Sequence, residues 1–252
     1  MPALRIIPCL DVKDGRVVKG VQFQNLQDVA DPVELATDYF AQGADEITLL
    51  DISASIEGRR AMIDVVERCA ESIFVPLTVG GGIRSTSDVK TLLGAGADKV
   101  SVGSAAISNP GLISEIADLF GSQVLTVSLD VKRGLSKSGF VVTRLGGTEE
   151  TGIDALEWVK DVTTRGAGEL LINSMDADGT KQGFDVELIK LVREATDVPI
   201  IASGGAGDLV HFLEAAHCGA NALLAASVFH SGSLTIGQAK ATLARAEVEV
   251  RI

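Results

Sequence analysis

Two aspartates in this chain of 252 residues sit in matching surroundings. Asp11 closes an apolar run over residues 6–10 and is followed by Lys13, Asp14, Gly15, Arg16 and Lys19. Asp130 closes another run, and Asp11-Val12-Lys13 reappears as Asp130-Val131-Lys132. A carboxylate at the exit of a buried strand, ahead of a polar loop, is placed to exchange protons with a bound molecule. Two in equivalent settings can supply one acid and one base. Either residue taken alone reads equally well as a strand end.

Glycines come next. Val79-Gly80-Gly81-Gly82 and Ser203-Gly204-Gly205 each follow an apolar run, and two further runs lead into Gly103-Ser104 and Ala226-Ser227. Small residues let backbone N–H groups approach an anion, and the start of a following helix adds a favourable dipole. Two such pairs predict two phosphate sites, and a substrate with a phosphate at each end. Four charges stand at the opposite ends of their runs: Arg5, Glu46, Lys99 and Glu169. Strand parity points all four into the interior. Unpaired burial there would be costly, so alternation of two cations with two anions is expected. Such a ring serves either stability or as a gate to an axial channel.

These side chains need a scaffold. Runs rich in β-branched residues fall near 4–11, 45–51, 75–79, 98–102, 123–129, 168–173, 199–202 and 221–225. Amphipathic helical stretches fall near 32–42, 59–71, 85–94, 110–119, 154–165, 185–195, 207–218 and 235–246. Eight strands alternating with eight helices predict a single α/β domain, a (β/α)8 TIM barrel over 1–252. GADEITLL at 43–50 matches GAGELLIN at 166–173, and VPLTVGGGI at 75–83 matches VPIIASGGA at 198–206. Glu46 and Glu169, Gly82 and Gly205, and Ser104 and Ser227 are each 123 residues apart. A fixed offset predicts two duplicated half-barrels, approximately 1–122 and 123–252. Asp11 and Asp130 then face each other across the C-terminal rim, where barrel enzymes work.

Composition narrows the class. A net charge of −12 argues against a general nucleic-acid binder. Cys9, Cys69 and Cys218 lack metal-ligand spacing and read as reduced, hence a cytoplasmic chain. No apolar run reaches the ~18 residues that span a membrane, and no signal peptide is legible. His211, His217 and His230 form no metal pattern, and the Asp176-x-Asp178-Gly179-Thr180 run lacks the later ligands of a calcium loop. No metal and no cofactor are expected.

CLDVKDGRVVKG, TVGGGIR, GADKV, LDVKRG, RGAGELLINSMDADGTKQGFD, IIASGGAG and ALLAASVFH resemble the cyclase subunit family of imidazole glycerol phosphate synthase, of histidine biosynthesis. The resemblance covers nearly the whole chain. It implies a lyase acting on a bisphosphate substrate, the ribulosyl formimino aminoimidazole carboxamide ribonucleotide. Ammonia from a glutaminase partner crosses the barrel and attacks it. Imidazole glycerol phosphate and aminoimidazole carboxamide ribotide result. It further implies that Asp11 and Asp130 are the catalytic acids, and that Arg5, Glu46, Lys99 and Glu169 are an ammonia gate. Lys19 falls on a mobile first loop. Gly82, Ser104, Asp178, Gly179, Gly205 and Ser227 fall on phosphate-binding positions, beside Gly103 and Ala226. The partner is expected on the N-terminal face, around Arg5, Glu46, Asp98 and Lys99, as a heterodimer. Asp11 is assigned as base and Asp130 as proton donor, with the exchanged roles left open. One departure is Gly103, where much of the family is expected to carry Asn. The rivals are the related barrel isomerase of the preceding step and a non-catalytic phosphometabolite-binding barrel.

Overall fold

Alternate residues of each barrel strand face two different apolar environments, and that split builds the fold. In the computed structural model, which describes residues 3–21, 24–52 and 56–252, with side chains over 3–18, 30–52 and 62–252, one cluster fills the space between sheet and helices. It takes Ile6, Leu10 and Val12 from strand β1 (Arg5–Lys13). A second, smaller cluster inside the barrel takes Ile7 and Cys9 from the same strand. Strands buried on both faces read as near-continuous apolar runs, which is how these appear in the sequence.

The chain continues through β2 (Arg16–Val21), β3 (Gln24–Ala30), α1 (Pro32–Ala41), β4 (Ile47–Asp51), α2 (Ile56–Ser72), β5 (Leu77–Gly80) and α3 (Thr86–Gly94). It follows with β6 (Lys99–Val102), α4 (Ser104–Ser108), α5 (Gly111–Phe120), β7 (Leu125–Arg133), β8 (Phe140–Arg144), β9 (Glu149–Asp154) and α6 (Ala155–Thr164). The last part comprises β10 (Glu169–Ser174), α7 (Val186–Ala195), β11 (Ile200–Ser203), α8 (Leu209–His217), β12 (Ala222–Ala225), α9 (Ser227–His230) and α10 (Ile236–Arg245). Eight strands pair in parallel in the order β1-β4-β5-β6-β7-β10-β11-β12, and β12 pairs β1 to close a (β/α)8 barrel. Four steps separate β1 from β7 in either direction, so these two are diametrically opposed.

The helix starts are capped at spacings that follow the repeat. Asp31 accepts from Val33 and Glu34 N–H ahead of α1, and Asp154, 123 residues on, accepts from Leu156 and Glu157 N–H ahead of α6. Ser85 caps α3 and Asp208, again 123 residues on, caps α8. The antiparallel pairs β2–β3 and β8–β9 were not legible as strands in the sequence. Both contain register shifts, and a bulge breaks the period-2 pattern that marks a strand. The one-turn helices α4 and α9 are too short to show a period. No described helix is long and apolar enough to cross a membrane.

The last helix is tied to the floor of the barrel. Lys240 Nζ on α10 donates to Asp45 Oδ1 at 2.8 Å, while Ile6 N–H donates to Asp45 Oδ2 at 2.8 Å. Both charges are buried. Lys240→Met is expected to strand Asp45 and cost about 3 kcal/mol of unfolding free energy, read from urea midpoints. A midpoint shift below a third of that would show that water reaches Asp45.

Candidate active site

Asp11 and Asp130 occupy the C-terminal halves of β1 and β7, on strands that face each other across the barrel. Each lies on the inward parity, because Leu10 and Val12, and Leu129 and Val131, belong to the outer cluster. Their surroundings differ. Burial, then the charge of Asp178, pushes the Asp11 carboxyl up to about 7. Burial also raises Asp130, but Asn173 Nδ2 donates to Asp130 Oδ1 at 3.1 Å and pulls against it, with Asp178 again raising it. Burial raises Asp178 itself, opposed by the Gly179 N–H. Three carboxyls of one site therefore compete to stay neutral, and only Asp130 has a side-chain donor among the causes of its shift.

Asp178 follows β10 in a loop pinned to the end of β7. Arg133 N–H donates to Asp176 Oδ2 at 2.7 Å, and the Arg133 guanidinium reaches Asp185 and Glu187, each at 2.7 Å. An open cavity of ≈ 100 Å³ joins Asp11, Asp178, Gly179, Gly205, Ala226 and Ser227. Gly205 has φ +96°, and a Cβ there would stand 1.9 Å from the Gly183 carbonyl, so only glycine lets the turn approach. Gly82, Gly103 and Ser104 lie across the rim, after β5 and β6. There Ser104 Oγ accepts from Leu145 N–H at 3.0 Å, which fastens the β8–β9 turn beside the second set of glycines. Cys9 lies beneath Asp11, and burial, with Asp11 and Asp178, holds its thiol protonated.

At the other end of the barrel the four interior charges alternate in a closed ring. Arg5 Nη1 meets Glu46 Oε2 at 2.7 Å, and the other Arg5 Nη meets Glu169. Lys99 Nζ meets Glu46 at 2.8 Å and Glu169 at 3.0 Å. Thr78 Oγ1 donates to Glu46 Oε1 at 2.6 Å. Burial pulls the Arg5 guanidinium down, and Glu169 and Glu46 together more than reverse this. Asp98 is exposed on that face and accepts from Leu77 N–H at 2.8 Å.

Asn173 and Lys181 join the site without a sequence signal of their own. Asn173 is the donor to Asp130, and Lys181, at φ +60°, lines the cavity. Their strand-end and loop positions were legible, but nothing marked their contacts. Lys19 falls in β2, outside the residues whose side chains are described.

A family model described as histidine biosynthesis protein matches residues 5–235. Imidazole glycerol phosphate synthase subunit HisF of Leifsonia xyli subsp. xyli is 62% identical over 250 residues, covering 99% of this chain and 98% of that protein. The subunit of the same name from Thermobifida fusca is 61% identical over 245 residues, 96% of both chains, and that of Clavibacter michiganensis is 59% identical over 249 residues.

Proposed function

The chain belongs to the histidine biosynthesis protein family, as a cyclase subunit of imidazole glycerol phosphate synthase, and from that premise we propose how its own residues carry the reaction. The observation that supports the reading most is the pair of opposed, unequal carboxyls, Asp11 and Asp130, on one rim. The bisphosphate ribonucleotide lies across that rim. One phosphate takes N–H groups at Gly82, Gly103 and Ser104, the other at Gly179, Gly205, Ala226 and Ser227. Asp178 is a carboxyl and would repel phosphate once ionised, so its partner is a hydroxyl or amine of the substrate.

One hydrogen bond favours the exchanged roles of the two acids. A donor to a carboxylate stabilises its ionised form, and Asp130 has one in Asn173. Asp130 is therefore the base that takes a proton from the attacking nitrogen. Asp11, raised to about 7, is the acid that returns one to the departing carboxamide group. Expressed per free ammonia, kcat/KM should then fall as pH rises through about 7, because Asp11 must be protonated. A limb that rises through the same range would reverse the assignment again.

Ammonia enters through the Arg5–Glu46–Lys99–Glu169 ring and leaves beside the acids. A glutaminase partner docks over that floor as a heterodimer in the cytoplasm. Phe74, in the turn before β5 on the same face, is 83% exposed with its ring edge-on to Phe40, and offers an apolar anchor. The test is turnover of the ribonucleotide with ammonium salt, then with glutamine and the glutaminase subunit. Conversion without any nitrogen source would point to the barrel isomerase, and binding without turnover to a sensor.

A further inference from the structure

One amide sits between the Asp130 carboxyl, a sulfur and a glycine loop. Asn173 lies beside Asp130 in the parallel pairing of β10 with β7. It has the inward parity, because Leu170 and Ile172 belong to the outer cluster. Its Nδ2 carries two hydrogens and meets two acceptors, Asp130 Oδ1 at 3.1 Å and Met175 Sδ at 3.4 Å. Its Oδ1 faces Gly204, where a Cβ would stand 3.2 Å from that oxygen.

Met175 is held from two sides. It follows the end of β10, where its N–H donates to the Val131 carbonyl at 2.8 Å. The β8–β9 turn lies against its side chain. A Cβ at Gly147, which has φ +84°, would press on the Met175 methyl and stand 3.2 Å from the sulfur. The same turn is fastened at Leu145, whose N–H donates to Ser104 Oγ.

The sulfur matters because an asparagine amide has two ends. An ionised Asp130 welcomes the N–H end and repels the oxygen. A protonated Asp130 has an O–H to give, and a turned amide would accept it. Such a turn stabilises the neutral carboxyl and weakens the base. It would also bring Asn173 Oδ1 toward a thioether, which has lone pairs and no hydrogen to offer. The other titratable and charged groups around Asp130 are Asp178 from the loop after β10, Asp11 and Cys9 on β1 across the barrel, and Lys132 of β7, paired with Glu150 of β9. Arg144 at the end of β8 pairs with Glu149, and Lys99 and Glu169 belong to the floor ring. A substitution at 175 changes none of these.

We propose that Met175 is a positioning residue for the reaction: its sulfur locks the Asn173 amide with N–H toward Asp130 in both protonation states, and the β8–β9 turn seats the lock. The inference rests on the reading above, in which Asp130 exchanges a proton with the substrate.

The test reads pH profiles of kcat/KM, per free ammonia, in wild type, Met175→Leu, Asn173→Leu and the double variant. Leucine keeps the bulk of methionine and removes the acceptor. In Met175→Leu the rising limb should move to higher pH, and kcat/KM below that limb should fall about two- to fivefold, the worth of one weak hydrogen bond. The KM for the ribonucleotide and the thermal midpoint should not move. Asn173→Leu should shift the limb at least as far, and adding Met175→Leu to it should shift it no further. Gly147→Ala, which pushes the Met175 methyl aside, should shift the limb in the same direction. Limbs left in place by Met175→Leu, or equal movement with and without Asn173, overturn the lock. Movement of the descending limb instead supports the lock and reverses which carboxyl is the base. A wild type without turnover on ammonium salt removes the underlying reading and the lock with it.

Discussion

Asp11→Asn and Asp130→Asn are each expected to lower ammonium-driven turnover by about a thousandfold or more, with the unfolding midpoint held or raised. General acid–base groups contribute roughly two to four orders of magnitude each. In this barrel the two stand on opposed strands, so neither can take the other's place. The stability half of the result follows from burial. Asp11 is held far above the ordinary carboxylate range, so ionising it opposes folding. Stability should fall as pH rises from about 4 to about 7, and a neutral amide at position 11 should remove that slope. The measurement pairs steady-state rates with urea melts at several pH values. Retained turnover in either variant would take that residue out of the mechanism.

The second large effect lies at the floor. Glu46→Gln leaves Arg5 and Lys99 facing one carboxylate, Glu169, in a nearly closed space. Breaking a buried ion pair by removing one partner costs about 3–5 kcal/mol, and Glu46 holds two cations and the Thr78 hydroxyl, so about 5 is expected. A neutral replacement of one whole side, Glu46→Leu with Lys99→Met, should recover most of it, because apolar groups of similar volume often match buried pairs. Glutamine-driven turnover should then stay impaired while stability returns. If both return together, the ring serves stability alone.

Much of this was written in plain periodicity. Ile6 to Leu10, Val124 to Leu129 and the Gly-Ala helix exits carry period, length and turn chemistry that leave little choice of fold. Gly43, Gly96, Gly166 and Gly219 have positive φ, as their place after helices required. The facing of Asp11 and Asp130 followed from an offset in the sequence. What stayed hidden depends on partners distant in the chain. Asn173 is 43 residues from Asp130, and Lys240 is 195 from Asp45. No local pattern records such pairs. Asp178 was legible as a phosphate-binding position through the family resemblance alone, and its charge relation to both acids needed coordinates. The hairpins β2–β3 and β8–β9 failed for a different reason, since their bulges scramble the alternation on which recognition depends.

Closure of the ring by β12 has a consequence for synthesis. Residues 222–225 insert between β11 and β1, and Lys240 reaches Asp45 only later still. Until this stretch has been made, the first strand keeps one bare flank, hydrogen-bonding groups outward. Such a flank invites pairing with other nascent chains. The stretch from Ala222 to Lys240 thus acts as a latch on the barrel, and chaperones that hold nascent chains should be needed most before it emerges.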